Sequence, residues 1–394
     1  MLPILGLVGG LAPLSIDMYL PALPDMARSL DASDAMLQMT VTAFLVGFAL
    51  GPLVLGPVSD AVGRRAVMLA AIAVFVVASL LCAWARSAEE LIAYRILQAV
   101  SGGSAATLSG AVVNDQFEGD RVARAMSILM LIMSVAPMVA PTLGGQLLVH
   151  FGWQANFLAL AGIGLAAALA VFWGLPETVP AVRRRSVRPA RVALGYLDIV
   201  TSVRAMAFAL AGAFAGGAMF AYIAATPFIY IDFYGLDPQL YGLFFAANIG
   251  GAMIVNMINV RFVVALGYRR ILAISAFVFL AVGVALLVAS STGLGGLWGI
   301  AVTVFWVVGL AHIMGANGVT GVLSFFGERA GAASAVNGAL RFLAGVTATL
   351  MIGALNDGTP WSLGAVIMGC AVISATATAV ALRGQCGGTA DAGA

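Results

Sequence analysis

The sequence predicts an all-α integral membrane protein of about twelve transmembrane helices in two pseudo-symmetric six-helix bundles. Three observations carry this expectation. Charge is scarce, at 9% of residues against 62% apolar, whereas a soluble domain carries about 25% charged residues. A surface so poor in charge must face lipid. Apolar runs long enough to cross a bilayer, about 20 residues each, recur along the whole chain. Finally, a segment after the second run is echoed after the eighth.

The first six spans read Leu2–Leu23, Met36–Val58, Ala66–Ala85, Leu91–Val113, Ala125–Val149 and Asn156–Leu175. The first begins directly at Leu2. No small-residue cleavage site followed by a soluble domain succeeds it, so it reads as a helix and not a leader. The last six read Ala205–Ile231, Tyr241–Leu266, Ile271–Ser290, Leu297–Ser324, Ala332–Leu355 and Trp361–Leu382, with the softest edges at Pro227 and Gly318. Connections are short except for residues 176–204, a polar stretch holding Arg183, Arg184, Arg185, Arg188, Arg191 and Arg204. The expected organisation is therefore a bundle over 1–175, a basic linker over 176–204, a second bundle over 205–382 and a tail over 383–394.

All 19 basic residues are arginine. Loops after even-numbered spans hold Arg64, Arg65, Arg121, Arg124, the linker cluster, Arg269 and Arg270, while loops after odd-numbered spans hold only Arg28 and Arg86 among several acids. By the positive-inside rule the even loops and both termini are expected in the cytoplasm. Two six-helix halves joined by a basic linker suggest a duplicated transporter. The echo between Gly56–Ala70 and Val260–Ile274 supports duplication, although Val264 stands where the first copy has Asp60.

Ionisable groups at membrane depth cost about 2.5–3.5 kcal/mol on insertion scales, so each needs a reason. Asp17 lies inside span one, just before Pro21 and Pro24, and Arg95 lies inside span four. Both are expected in the outer half at similar depth. A bridge that merely ties helices is the structural reading. The functional reading is a protonatable carboxylate in a water-filled cavity, tuned by the nearby guanidinium. Arg341 in span eleven reads as a residue near the inner end snorkelling to the interface. His312 reads as a packing residue. Asn248, Asn256, Asn317 and Asn337 read as interhelical hydrogen-bonding groups, with Asn248 the candidate substrate contact.

Span five carries Pro137 and Pro141, which remove backbone donors and bend it, and Gly144 and Gly145, which admit a close neighbour. It can act as a seal or hinge, or simply pack as a kinked helix. The turn after span two sets Gly56, Asp60, Gly63, Arg64 and Arg65 in a Gly-x-x-x-Asp-x-x-Gly pattern. Asp60 is expected to cap a neighbouring helix and pair with an arginine, latching the cytoplasmic side. Tyr19, Phe44, Gln98, Tyr222, Phe245 and Asn248 are candidates for lining a central cavity.

Cys82, Cys370 and Cys386 form no metal-binding spacing. With two histidines, His150 and His312, and few intramembrane carboxylates, the constellation a membrane-embedded enzyme needs is missing. A phosphate-binding loop of the Gly-x-x-x-x-Gly-Lys kind cannot form without lysine.

These motifs resemble the major facilitator superfamily along essentially the whole chain. Gly56-Pro-Val-Ser-Asp60-Ala-Val-Gly63-Arg64-Arg65 resembles its loop 2–3 signature, and Arg95-Ile-Leu-Gln98-Ala-Val-Ser-Gly102-Gly103 its proton-coupled helix-four motif, with Ala99 in place of a usual glycine. Ala136 to Gly145 resembles the helix-five antiporter motif, with two usual glycines replaced by alanine. Pro13-Leu-Ser-Ile-Asp17-Met-Tyr-Leu-Pro21-Ala-Leu-Pro24 resembles the first helix of the bicyclomycin/chloramphenicol-resistance (Bcr/CflA) drug:proton antiporters, as does Thr226-Pro-Phe-Ile-Tyr-Ile-Asp232 after span seven. The resemblance implies the major facilitator fold and proton-driven efflux of small organic molecules, with Asp17 and Arg95 in proton coupling. It further implies a bacterial inner membrane, no cofactor beyond the proton gradient, no nucleic acid and a monomer. Export of an endogenous metabolite, such as an amino acid, short peptide or sugar, is the alternative on the same fold.

Overall fold

The computed structural model describes residues 1–118, 120–178, 198–326 and 330–383. Arg183, Arg184, Arg185, Arg188 and Arg191 of the linker, and Cys386 with most of the tail, lie outside the described residues. Among those described, twelve helices are long and apolar enough to cross a membrane. They are α1 Leu2–Ser29, α2 Asp34–Val62, α3 Arg64–Ala83, α4 Ala88–Gln116, α5 Asp120–Phe151, α6 Gln154–Gly174, α7 Val203–Phe233, α8 Pro238–Leu266, α9 Tyr268–Thr292, α10 Gly296–Leu323, α11 Ala330–Ala354 and α12 Trp361–Leu382.

Local chemistry sets where they start and bend. Ser33 and Ser87 accept the Met36 and Glu90 amides and so cap α2 and α4, meeting donors that a helix start leaves open. Inside α1, Pro21 and Pro24 lack the N–H groups that would bond the carbonyls of Asp17 and Leu20. Regular helix accordingly stops at Asp17, a single 3₁₀ turn covers Leu20–Ala22, and helix resumes at Leu23. Both soft edges of the sequence prove continuous. Beyond Pro227, α7 runs on as a π-helical turn over Phe228–Phe233, and α10 passes through Gly318 to Leu323.

The chain forms two compact units, one of Met1–Val187 with Ile223–Ala247, the other of Arg188–Tyr222 with Asn248–Ala394. In the first, α2 packs on α4, α3 on α4 and α6, and α1 on α4, α5 and α6. Gly47 and Gly51, one turn apart on α2, abut the Ile96 and Val100 carbonyls of α4, an approach no side chain would allow. In the second unit α9 packs on α10 and α12, repeating the pairing of α3 with α4 and α6. Gly318 and Gly321 of α10 meet Phe208 of α7, as α4 meets α1. Residues 223–247, the facing ends of α7 and α8, group with the first unit.

Large apolar side chains such as Leu53, Val54, Phe172, Trp173, Phe277 and Val302 stay exposed. In water such a surface would aggregate; against acyl chains it is the required lining.

Candidate functional site

Arg95 is completely buried, and aromatic rings hold it. Its guanidinium lies 4.2 Å from the Tyr19 ring centre, 4.4 Å from Phe44 and 5.9 Å from Phe157. A guanidinium stacks on such π faces, at about 2 kcal/mol or more once desolvated. One terminal nitrogen donates to the Gln98 carboxamide oxygen. Gln98 donates onward to Ser79 Oγ at 2.7 Å, and Ser79 donates to the Phe75 carbonyl. The Tyr19 hydroxyl is fixed by Thr40 at 3.0 Å. The cage is thus built from α1, α2, α4 and α6, with Nε and Nη2 of Arg95 left without hydrogen bonds.

Asp17 is 3% exposed, and its Oδ1 has no hydrogen-bond partner. No ion pair joins it to Arg95, so the expected juxtaposition of the two charges is absent. Regular helix ends at Asp17, and the chain turns before Tyr19, whose ring meets Arg95. Tyr241 of α8 bonds Thr226 at 3.0 Å and stacks near Tyr230 and Phe245.

The break after Asp17 sits directly against α5. A Cβ on Gly144 would coincide with the Met18 carbonyl oxygen, and one on Gly145 would reach within 2.6 Å of the Pro238 carbonyl. Pro137 and Pro141 lie inside α5 without ending it.

Gly63 joins α2 to α3 at φ 126°, a conformation that favours glycine. Arg64 pairs with Asp60 one turn back and with Asp115 of α4 at 3.1 Å, and it donates to Ser59. The expected capping role of Asp60 falls instead to Glu177, whose two oxygens accept the Arg64 and Arg65 amides at 2.8 and 3.2 Å. Asp60 precedes α3 on the preceding helix and is committed to the Arg64 side chain, whereas Glu177 arrives from beyond α6 onto the open amides. Arg65 lies over the Phe172 ring and donates to the Phe172 carbonyl. A Cβ added at Gly56 would meet nothing within 4 Å, and the Gly56 carbonyl accepts from Ser59 Oγ at 2.6 Å. In the second copy Gly267 repeats the turn at φ 78°; Val264 is 88% exposed there, so the acid has no counterpart.

Of the candidate cavity residues, Tyr19, Phe44 and Gln98 serve the Arg95 cage, and Asn248 donates to the Tyr222 hydroxyl at 3.0 Å. Asn317 bonds Asn259 across α10 and α8. Arg341 lies on α11 and lines a cavity in the second unit. Sequence reasoning missed Phe157, Ser79, Asp115 and Glu177. The two acids carried a signal: they are rare carboxylates next to the arginine-rich turns.

The Major Facilitator Superfamily model matches residues 5–349. The chain is 35% identical to the uncharacterized MFS-type transporter YdgK of Bacillus subtilis, covering 95% of this chain and 93% of that protein. It is 31% identical to the bicyclomycin resistance protein homolog of Haemophilus influenzae, over 95% and 94%, and 30% identical to the multidrug resistance protein MdtL of Escherichia coli, over 71% of each. Among solved structures, the nucleoside transporter NupG superposes at a TM-score of 0.77 over 97% of this chain and 99% of that one, at 14% identity. The D-xylose-proton symporter does so at 0.75 over 95% and 96%, also at 14% identity. With this family match over most of its length and twelve membrane-crossing helices, the chain belongs to the major facilitator superfamily of multi-pass membrane transporters.

Proposed function

We propose that this protein is a proton-driven exporter of small organic molecules, antibiotics among them, of the Bcr/CflA type. The observation that carries the reading is Asp17. It is a buried carboxylate with an unpaired oxygen and, among the described residues, no ion pair, set at a proline-made break in α1. Ionised there, it would forfeit several kcal/mol of hydration, which supports a neutral acid in this conformation. The relatives named for bicyclomycin and multidrug resistance support the choice of cargo.

Arg95 acts as the fixed charge of the cycle. A rotation of α1 that withdraws Tyr19 from the cage turns Asp17 toward the guanidinium. The carboxylate is then stabilised, and the proton leaves. Drug and proton thereby alternate as the transporter exposes its site to either side. The arginine bias of the even loops supports cytoplasmic termini in a bacterial inner membrane, and the protein works as a monomer.

Asp17→Asn is expected to keep the fold and abolish drug uptake driven by a pH gradient in inverted membrane vesicles. Normal gradient-dependent uptake by that variant would remove Asp17 from the coupling. A drug-susceptibility panel in an efflux-deficient host, with and without protonophore, identifies the cargo. Protection unaffected by protonophore would contradict the proton drive.

A further inference from the structure

We propose that the cavity in the second unit is a subsite for an anionic group, a carboxylate or related oxyanion on a small organic substrate. The inference rests on the exporter reading and adds a substrate class to it. The cavity holds about 280 Å³ and is lined by Asn256, His312, Asn337 and Arg341 among small residues such as Gly212 and Gly315. That volume suits a charged head and the fragment bearing it, at the lower end of ligand pockets.

Its charge is uncompensated. Among the described residues no carboxylate pairs with Arg341, and no hydrogen bond is made by Arg341, Asn256 or Asn337. The Asn337 carboxamide oxygen is buried without a partner. A lone guanidinium inside a membrane-crossing helix is costly, and among the described residues this one has neither the carboxylates that meet Arg64 nor the ring faces that hold Arg95. This one offers five N–H donors in a planar fork, the shape that meets a carboxylate through two parallel bonds.

The surroundings aim it. Asn337 and Arg341 are one turn apart on α11 and share a face. The stem of Arg341 crosses α7 at Gly216, where an added Cβ would lie 3.0 Å from its Cγ and Nε. Asn256 comes from α8 and His312 from α10. His312 donates from Nδ1 to the Val308 carbonyl at 2.8 Å, so its neutral ring presents only an acceptor at Nε2 and the donors for an anion are those of Arg341 and the two asparagine amides. The lining residues come from membrane-crossing helices, and a soluble anion is the proposed occupant.

The test is equilibrium binding to the purified full-length protein in detergent with no proton gradient, so that loss of proton coupling leaves it readable. Thermal midpoints are measured with benzoate, methylphosphonate, inorganic phosphate and the neutral benzamide. We expect benzoate or methylphosphonate to raise the midpoint by a few degrees at saturation and benzamide to have no effect. Arg341→Gln should weaken the anion by about tenfold or more, Arg341→Lys less so, and Asn256→Leu should weaken it in a separately folded background. An anion shift unchanged in both Arg341→Gln and Asn256→Leu overturns the proposal. So does equal response to benzoate and benzamide, a response to phosphate alone, or none to any anion.

Discussion

At the scale of single residues, the two membrane arginines are treated differently. Arg95 spends its charge on three ring faces and one carboxamide, whereas Arg341 faces open space. A planar, delocalised cation is what the cage accommodates, and an ammonium point charge is not equivalent. Arg95→Lys is therefore expected to fold, yet to lose about tenfold or more of its transport rate, with Arg95→Ala lower still; wild-type rates in vesicle assays would mean that the cage is only structural. At the loop, Glu177→Gln removes the charge from the α3 amides. It should lower unfolding stability by about 0.3–1 kcal/mol, the usual worth of a charge at an exposed helix start, read by thermal denaturation with Glu177→Asp as the partial rescue. These pairings were only half legible beforehand. Asp17 and Arg95 stood out because lipid excludes charge, but Phe157 and Ser79 look like any apolar or small membrane residue until α6 and α3 are folded against α4.

Among the elements, α1 and α5 meet at the break in α1. Prolines break α1 directly after Asp17, and Gly144 lets α5 close onto the buried Met18 carbonyl. Gly144→Ala is expected to force the helices apart and to lose both thermal stability and transport. Gly56→Ala meets nothing within 4 Å and should gain slightly in helix stability, by about 0.5–1 kcal/mol. Comparable midpoints for the two variants would contradict the close approach at Gly144. The proline kinks were readable as dipeptide chemistry. Which of two neighbouring glycines meets which backbone was not, since Gly144 and Gly145 are alike in sequence and touch Met18 and Pro238 respectively.

For the whole molecule, the proposed exporter cycle predicts that the ends of α1 and α7 part. Arg28 at the end of α1 pairs with Asp232 in the last turn of α7 at 3.0 Å, both within the first unit. With Cys82, Cys370 and Cys386 replaced, a short bis-thiol reagent across Arg28→Cys and Asp232→Cys should stop transport, and cleaving the reagent should restore it. Undiminished transport in the cross-linked protein would show that these ends stay together through the cycle.

The sequence alone determined the membrane class and the twelve spans, because hydropathy and helix length are local properties. The tertiary structure decided where each rare charge goes. Position along a helix sets depth, but each residue adds about 100° of rotation, and packing alone settles which neighbour that direction meets. That is why Arg95 faces Tyr19, Phe44 and Phe157 instead of Asp17, why Arg64 is shared by Asp60 and Asp115, and why Arg341 faces a cavity that no carboxylate among the described residues fills.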